Sequence, residues 1–283
     1  MNTLQLPTPL VSIDWLSQHQ DHPDLIILDA TIKKVTSNKD SKDQNLQIKG
    51  ARFFDIKRVF SDKNTDIPNM LPSPEVFEQA CQDLGINRHH KIVIYDTLGI
   101  YSSPRVWWMF KTMGYHDVSV LDGGLPAWRK ANLPEVSIQD DQKTYEKGNF
   151  KAIYQPHLVS NAEKVQSKIN SEDTMIIDAR SNGRFVAIEP EPRANLKGGH
   201  IPGSKNLHYI KVLEENKMLP KEKLNKVFKN FNIENKNLIF TCGSGITACI
   251  IMMAAEISGY QKTSIYDGSW SEWGQLENVP VKS

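Results

Sequence analysis

Cys242 lies in a glycine-containing loop between an apolar run and a helical pattern, a setting that favours a reactive thiol. The run Leu238–Phe240 predicts a β-strand, and the pattern after the loop predicts a helix that ends at Gly259. Free amide N–H groups and the positive end of the helix dipole surround a side chain in this position. Such surroundings stabilise a thiolate, so we predict that Cys242 is a nucleophile. The alternative, a buried cysteine without chemistry, is disfavoured by Gly243 and Gly245, which allow the backbone to curl around an anion.

The composition excludes several classes of protein. The chain has 283 residues with 34 basic and 33 acidic side chains, so no excess charge attracts nucleic acid or a membrane surface. Its three cysteines have neither disulfide-framework nor zinc-site spacing. We read no signal peptide at the N-terminus and no stretch apolar enough to span a bilayer. We therefore expect a cytoplasmic protein without metal, cofactor, nucleic-acid partner or membrane partner.

The chain repeats itself once. Leu25–Thr31 resembles Thr174–Arg180, and the apolar run that ends at Asp96 resembles the run that ends at Cys242. An Asp-Gly-Gly motif in the first half matches an Asp-Gly-Ser motif in the second, and each precedes a tryptophan. Each half alternates β-branched runs with helical patterns, which predicts two α/β domains, each a central parallel sheet flanked by helices. Only the second copy has a cysteine after this apolar run, since Asp96 stands in that position in the first copy.

The domain boundaries follow from a polar stretch without periodicity that begins at Gln139. We predict a first domain over residues 1–138, a linker over 139–155 and a second domain, with the reactive cysteine, over 156–283.

Several motifs in the correct order carry a family resemblance. They are the Cys-Gly-Ser-Gly-Ile-Thr loop at 242–247, the segments Gly183–Arg193 and Gly199–Gly203, and the Pro-Arg-Val-Trp-Trp sequence at 104–108. With the repeat, they make the chain resemble the tandem-domain rhodanese superfamily, and within it the mercaptopyruvate-using branch, over nearly its whole length.

The resemblance implies a sulfurtransferase that moves sulfur from 3-mercaptopyruvate through a persulfide on Cys242 to a thiol, such as thioredoxin or a small thiol, or to cyanide, and releases pyruvate. By motif position, Arg184 and Arg193 bind the donor, since arginine suits bidentate recognition of a carboxylate. Ser244 could act in catalysis, by donating a hydrogen bond or by relaying a proton. Alternatively, it is only a small loop residue. The remaining predicted donor-binding residues belong to the loop: Gly243, Gly245, Ile246 and Thr247.

Three other functions compete with this one. A thiosulfate sulfurtransferase keeps the persulfide chemistry, but a doubly charged donor suits a cationic loop better than the uncharged Gly243-Ser244. A non-catalytic sulfur carrier or thiol sensor uses the persulfide without recognising mercaptopyruvate. A cysteine-dependent phosphatase requires arginine six residues after the cysteine, where this chain has Ala248.

The sequence departs from the family at positions that bear on proton transfer. Mercaptopyruvate enzymes often have histidine before Met-Leu-Pro and an acidic residue two positions after the aspartate of Phe-Phe-Asp. This chain has Asn69 and Lys57 there. A serine–histidine–aspartate relay is therefore not expected, and the source of the proton for the leaving enolate is open.

Overall fold

The computed structural model describes residues 4–32, 45–139 and 144–283, which divide into two compact units. The first unit contains the chain up to Phe60 with Pro72–Tyr154 and Glu215–Lys217. The second contains Ser61–Leu71, Gln155–Glu214 and Met218–Ser283. Residues 140–143 of the predicted linker lie outside the described residues, and the predicted domain boundaries stay a prediction.

The first unit is built on a parallel sheet with helices. Its strands are β1 (Leu10–Val11), β2 (Leu25–Asp29), β4 (Arg52–Phe53), β5 (Lys91–Tyr95) and β6 (Val118–Leu121), in the spatial order β1-β6-β5-β2-β4. Its helices are α1 (Ile13–His19), α2 (Pro74–Asp83), α3 (Ser103–Thr112) and α4 (Gly124–Lys130), and β3 (Leu46–Gln47) pairs antiparallel with β7 (Val136–Ser137).

The second unit repeats this plan. Its parallel sheet has the order β10-β9-β13-β14-β8, formed by β8 (Val159–Ser160), β9 (Thr174–Asp178), β10 (Lys205–Asn206), β13 (Asn237–Thr241) and β14 (Thr263–Tyr266). The strands β11 (Leu213–Glu214) and β12 (Lys217–Met218) pair separately. The helices are α5 (Ala162–Ser167), α6 (Asn182–Phe185), α7 (Lys221–Lys229), α8 (Ala248–Ile257) and α9 (Ser269–Trp273).

The repeat inferred from the sequence is confirmed strand by strand. β5 and β13 are the central strands of their sheets, and they end at Tyr95 and Thr241. Asp96 and Cys242 are therefore equivalent, each the first residue beyond a central strand. The predicted α/β architecture is confirmed in both copies.

Burial explains why these strands and α8 read as continuous apolar runs. Leu238, Ile239 and Phe240 are all buried, as expected for a central parallel strand covered on both faces. The eight residues from Ala248 to Ala255 are also all buried, so α8 is a core helix rather than an amphipathic surface helix. Within the described ranges, no helix is long and apolar enough to cross a membrane.

Candidate active site

The loop that follows β13 holds the predicted nucleophile. Cys242 comes directly after Thr241, whose register partner on the neighbouring strand β9 is Asp178. The Cys242 side chain is buried, with 1% of the residue exposed, and α8 begins six residues later. The thiol thus lies at the carboxyl edge of the sheet and before the N-terminus of a core helix, as predicted.

Helix α9 fixes the backbone of this loop from one side. The Trp270 N–H donates to the Cys242 carbonyl at 2.9 Å, and the Ser271 N–H donates to the Gly243 carbonyl at 2.8 Å. The Ser271 hydroxyl also donates to the Gly243 carbonyl at 2.6 Å. Because the peptide group is planar and trans, the next N–H along the chain points away from each held carbonyl. The N–H groups of Gly243 and Ser244 are therefore turned away from α9.

The loop presents unpaired backbone donors. Among the residues that the structure describes, the N–H groups of Gly243, Ser244, Ile246 and Thr247 have no acceptor. Thr247, the residue before α8, provides no side-chain cap, so the positive end of that helix is not neutralised by a cap. Successive free amides at a helix N-terminus form a binding place for an anion. The predicted nucleophile Cys242 belongs to the same loop.

Gly243 and Gly245 are needed for different reasons. Gly245 has a φ of 73°, a left-handed conformation that favours glycine. A Cβ atom at Gly243 would lie 3.0 Å from Nη2 of Arg184, so glycine leaves room for the guanidinium. The structure thus brings Arg184, a predicted donor-binding residue, against the nucleophile loop.

Arg184 is held in this place by a carboxylate. It lies on the short helix α6, and its Nε donates to Glu191 Oε1 at 3.2 Å while Nη2 donates to Glu191 Oε2. The side chain of Arg184 is 17% exposed and that of Glu191 is 3% exposed. A guanidinium that is anchored on one edge and partly open on the other is suited to bind the carboxylate of a small donor.

Glu191 also joins a second, fully buried arginine that the sequence analysis missed. Arg180 donates to Glu191 Oε1 at 2.7 Å, to Asp178 at 3.0 and 2.7 Å, and to the Gly199 carbonyl at 2.7 Å. Its guanidinium also stacks on Trp270, with Cζ 4.1 Å from the ring centroid. Burial lowers the pKa of Arg180, but the carboxylates of Asp178 and Glu191 outweigh burial and raise it. Arg180 is therefore a permanent cation that orients Glu191.

Ser269 is the second residue that the sequence analysis missed. Its Oγ accepts the Cys242 N–H at 3.2 Å and donates to the Tyr266 carbonyl at 2.8 Å. Its φ is 50°, a conformation that costs energy for a residue with a side chain. The signal was present in the repeat, because Ser269 replaces Gly124, which has a φ of 53°.

Asn69 contacts the loop from the Ser61–Leu71 segment of the same unit. Its Nδ2 donates to the Ser244 carbonyl at 3.2 Å and to Ser244 Oγ at 3.1 Å. Two residues later, the Leu71 N–H donates to Asp267 Oδ2 at 2.7 Å. The residue that stands in place of the family's histidine therefore lies against Ser244, which is 8% exposed.

The remaining predicted residues differ in exposure. Arg193 is half-buried in the segment after Glu191, Ile246 is buried and Thr247 is half-buried. Lys57 is exposed in the first unit. The catalytic roles of Cys242 and Ser244 stay predictions. So do the donor-binding roles of the other predicted residues, which are Arg184, Arg193, Gly243, Gly245, Ile246 and Thr247.

Comparison with known proteins identifies the family of the chain. The model of the rhodanese-like domain matches residues 12–131 and 161–276. The chain therefore belongs to the rhodanese family, with two copies of the domain.

The relatives include sulfurtransferases named for mercaptopyruvate. The chain is 35% identical to the 3-mercaptopyruvate sulfurtransferase of Escherichia coli K12, over 97% of this chain and 98% of that protein. It is 38% identical to the mitochondrial thiosulfate/3-mercaptopyruvate sulfurtransferase 1 of Arabidopsis thaliana, over 97% of this chain and 78% of that one. The crystal structure of SseA from Escherichia coli, described as a 3-mercaptopyruvate sulfotransferase, superposes with a TM-score of 0.82 at 32% identity and covers 93% of this chain and 99% of that one.

Proposed function

We propose that this protein is a sulfurtransferase that takes sulfur from 3-mercaptopyruvate onto Cys242, releases pyruvate and passes the sulfur to a thiol or to cyanide. The observation that carries the proposal is the position of Cys242 next to the N–H groups of Gly243 and Ser244, which have no acceptor among the described residues, with Arg184 against Gly243. Relatives of nearly full length that are named for this activity support it.

The first step forms a sulfur–sulfur bond and breaks a carbon–sulfur bond. The Cys242 thiolate attacks the sulfur of 3-mercaptopyruvate, and the electron pair of the carbon–sulfur bond moves to carbon. The products are the Cys242 persulfide and the enolate of pyruvate, which takes a proton at carbon. No external oxidant or reductant is needed.

The protein supplies charge stabilisation in this step. The negative charge moves from the cysteine sulfur to the enolate. When the persulfide then loses its proton, the outer sulfur becomes negatively charged. The amides of Gly243 and Ser244 and the N-terminus of α8 stabilise the sulfur anion. Arg184, with Arg193 as the second predicted arginine, binds the donor's carboxylate and the developing enolate oxygen.

The charge near the loop favours a singly charged donor. Glu191 is shared between Arg180 and Arg184, and Asp178 neutralises Arg180 on its other side. With two carboxylates against these two guanidiniums, little excess positive charge remains for a doubly charged donor such as thiosulfate. Thiosulfate is the second candidate donor, because the Arabidopsis relative is named for both compounds.

In the second step a thiolate attacks the outer sulfur of the persulfide, and the Cys242 thiolate leaves. The predicted acceptors, thioredoxin or a small thiol in the cytoplasm, form part of this proposal. Cyanide is a convenient substitute for them in an assay.

The proposal is tested by pyruvate release from 3-mercaptopyruvate, with thiosulfate compared as donor under the same conditions. We expect wild-type protein to release pyruvate and to gain the mass of one sulfur atom before an acceptor is added, and Cys242→Ser to do neither. Cys81→Ala, a change at a buried cysteine of the first unit, is the control and should retain both properties. Sulfur loading without pyruvate release would instead support a carrier, and faster turnover of thiosulfate would reverse the order of the donors.

A further inference from the structure

We propose that Asn69 is a positioning residue that fixes the Ser244 hydroxyl as a hydrogen-bond donor toward the reacting sulfur and does not exchange protons with it. This inference rests on the proposed function, because it assigns a role within the same site. Asn69 Nδ2 lies 3.2 Å from the Ser244 carbonyl oxygen and 3.1 Å from Ser244 Oγ.

The chemistry of the two contacts fixes which end of the Asn69 amide faces the loop. A backbone carbonyl oxygen only accepts hydrogen bonds, so the atom of Asn69 that faces it must be the NH2 group. The same NH2 group then faces Ser244 Oγ, which must act as the acceptor in that contact. The hydroxyl hydrogen of Ser244 is therefore directed away from Asn69.

That hydrogen has no acceptor in the part of the chain that the structure describes. Ser244 lies two residues after Cys242 in the same loop, so its hydroxyl is available to the sulfur anion or to a bound donor. A buried hydroxyl hydrogen without an acceptor is costly, and an anionic sulfur would satisfy it.

An amide also differs from imidazole in that it does not titrate between pH 4 and 10. A histidine at this position would change its charge with an ordinary pKa near 6.5 and could take the proton of the serine. Asn69 has no such capacity. The Ser244 hydroxyl is therefore a fixed dipole, and the enolate must take its proton from another source.

The backbone of Asn69 supports a specific fit. Its φ is 63°, a left-handed conformation that asparagine tolerates better than most residues, and the residue is 9% exposed. The neighbouring contact from the Leu71 N–H to Asp267 anchors the same segment beyond β14. The side-chain amide of Asn69 thus projects from an anchored segment toward the loop.

The test compares Asn69→Asp, Asn69→His and wild type. Asn69→Asp replaces the donor with an acceptor, so Ser244 should turn its hydrogen toward the new carboxylate. We expect kcat for pyruvate release to fall about 10- to 100-fold, with a smaller change in KM. Asn69→His should retain more activity, and its kcat should show a new inflection near pH 6.5 that wild type lacks.

Two controls separate this role from general destabilisation. Asn132→Asp makes the same change at an exposed left-handed asparagine of the first unit and should leave kcat unchanged. In a Ser244→Ala background, Asn69→Asp should cost little further activity, because the two residues act as a pair. Melting temperatures show which variants are folded.

A readout without mercaptopyruvate keeps this inference separate from the proposed function. The rate of Cys242 alkylation by iodoacetamide against pH reports its thiolate, and Asn69→Asp should move that profile to higher pH. The role of Asn69 would be overturned if folded Asn69→Asp had the same alkylation profile and the same kcat as the wild type. It would also be overturned if Asn69→His showed no new inflection. Failure of wild type to release pyruvate would instead contradict the proposed function.

Discussion

Asp96 and Cys242 occupy the same position in two copies of one turn, but only Asp96 brings a carboxylate to it. Each follows a central strand, and each carbonyl accepts an N–H from the next helix along the repeat, from Leu125 at 3.1 Å and from Trp270 at 2.9 Å. The Asp96 carboxylate accepts four backbone N–H groups at 2.9 to 3.0 Å, from Leu98, Tyr101, Ser102 and Ser103. The first copy thus satisfies its amides with its own side chain, whereas amides of the second remain available to sulfur.

Removal of this internal anion should destabilise the protein. Burial raises the pKa of Asp96, and the hydrogen bonds donated by Ser103, Tyr101 and Leu98 oppose that rise. Asp96→Asn places an NH2 group among backbone donors, so we expect a loss of about 2–4 kcal/mol in the free energy of unfolding. Urea denaturation measures it, with exposed Asp21→Asn as a control that should change by less than about 0.5 kcal/mol. Equal effects of the two changes would contradict this assignment.

Arg184 should affect donor binding more than thiol reactivity. Arg184→Ala removes the guanidinium beside Gly243, so we expect kcat/KM for 3-mercaptopyruvate to fall about 100-fold or more. Arg184→Lys should recover only part of this, because lysine cannot bind a carboxylate in bidentate fashion. Steady-state kinetics measure the loss, and exposed Arg88→Ala is the matched control. An unchanged kcat/KM in Arg184→Ala would favour a carrier that does not recognise the donor.

Glu191 should be needed both for stability and for the donor. Glu191→Gln removes the negative charge that Arg180 and Arg184 share, so less of the positive charge of the two guanidiniums is neutralised. Loss of one partner from a buried ionic network costs about 3–5 kcal/mol, and Arg184 should also lose its orientation. Denaturation and KM for 3-mercaptopyruvate should both respond. Glu189→Gln, at an exposed residue two positions earlier, should affect both less.

Substitutions at Ser269 distinguish the contribution of its hydroxyl to stability from that of its backbone conformation. Ser269→Ala keeps a side chain at a φ of 50° but leaves the buried Cys242 N–H without its acceptor, which should cost about 1–3 kcal/mol. Ser269→Gly loses the same hydrogen bond but relieves the left-handed strain, so it should be the more stable variant of the two. Thermal unfolding ranks them. The reverse order would show that the conformation is not strained.

Acid should destabilise the first unit through His90. Burial, then the neighbouring charges of His89 and Arg52, lower the pKa of His90 to about 4. Its Nδ1 accepts the Asn87 N–H at 2.9 Å, which requires an unprotonated nitrogen. A base with a depressed folded pKa stabilises the fold above its unfolded pKa of about 6.5 and loses that contribution as pH falls toward 4.

The free energy of unfolding should therefore decline between pH 6.5 and 4 more steeply in wild type than in His90→Asn, which keeps an acceptor but does not titrate. Denaturant titrations at several pH values give both slopes. Parallel slopes would exclude His90 as a source of acid sensitivity.

The sequence was sufficient to predict the features that depend on neighbouring residues or on the internal repeat. The run Leu238–Phe240, the glycines beside Ser244 and the repeat that pairs Asp96 with Cys242 predicted the strand, the loop and the equivalence of the two turns. Each of these follows from periodicity or from comparison of the two halves.

The contacts around the loop depend on distant segments and were not predicted. Asn69 is 175 residues from Ser244, and no local pattern indicates that its amide faces that residue. Arg180 and Glu191 flank the predicted Arg184, but their shared ion pairs depend on how the chain folds back after α6. Arginines that the sequence alone would place in exposed loops can therefore belong to a buried network.

The two backbone hydrogen bonds from α9 to the carbonyls of Cys242 and Gly243 have a consequence for catalysis. They orient the peptide dipoles of the loop when the protein folds, before any sulfur donor arrives. Charge can therefore move onto sulfur with little reorganisation of its surroundings, whereas water would have to reorient at each turnover. The barrier to sulfur transfer is lowered in advance by the free energy of folding.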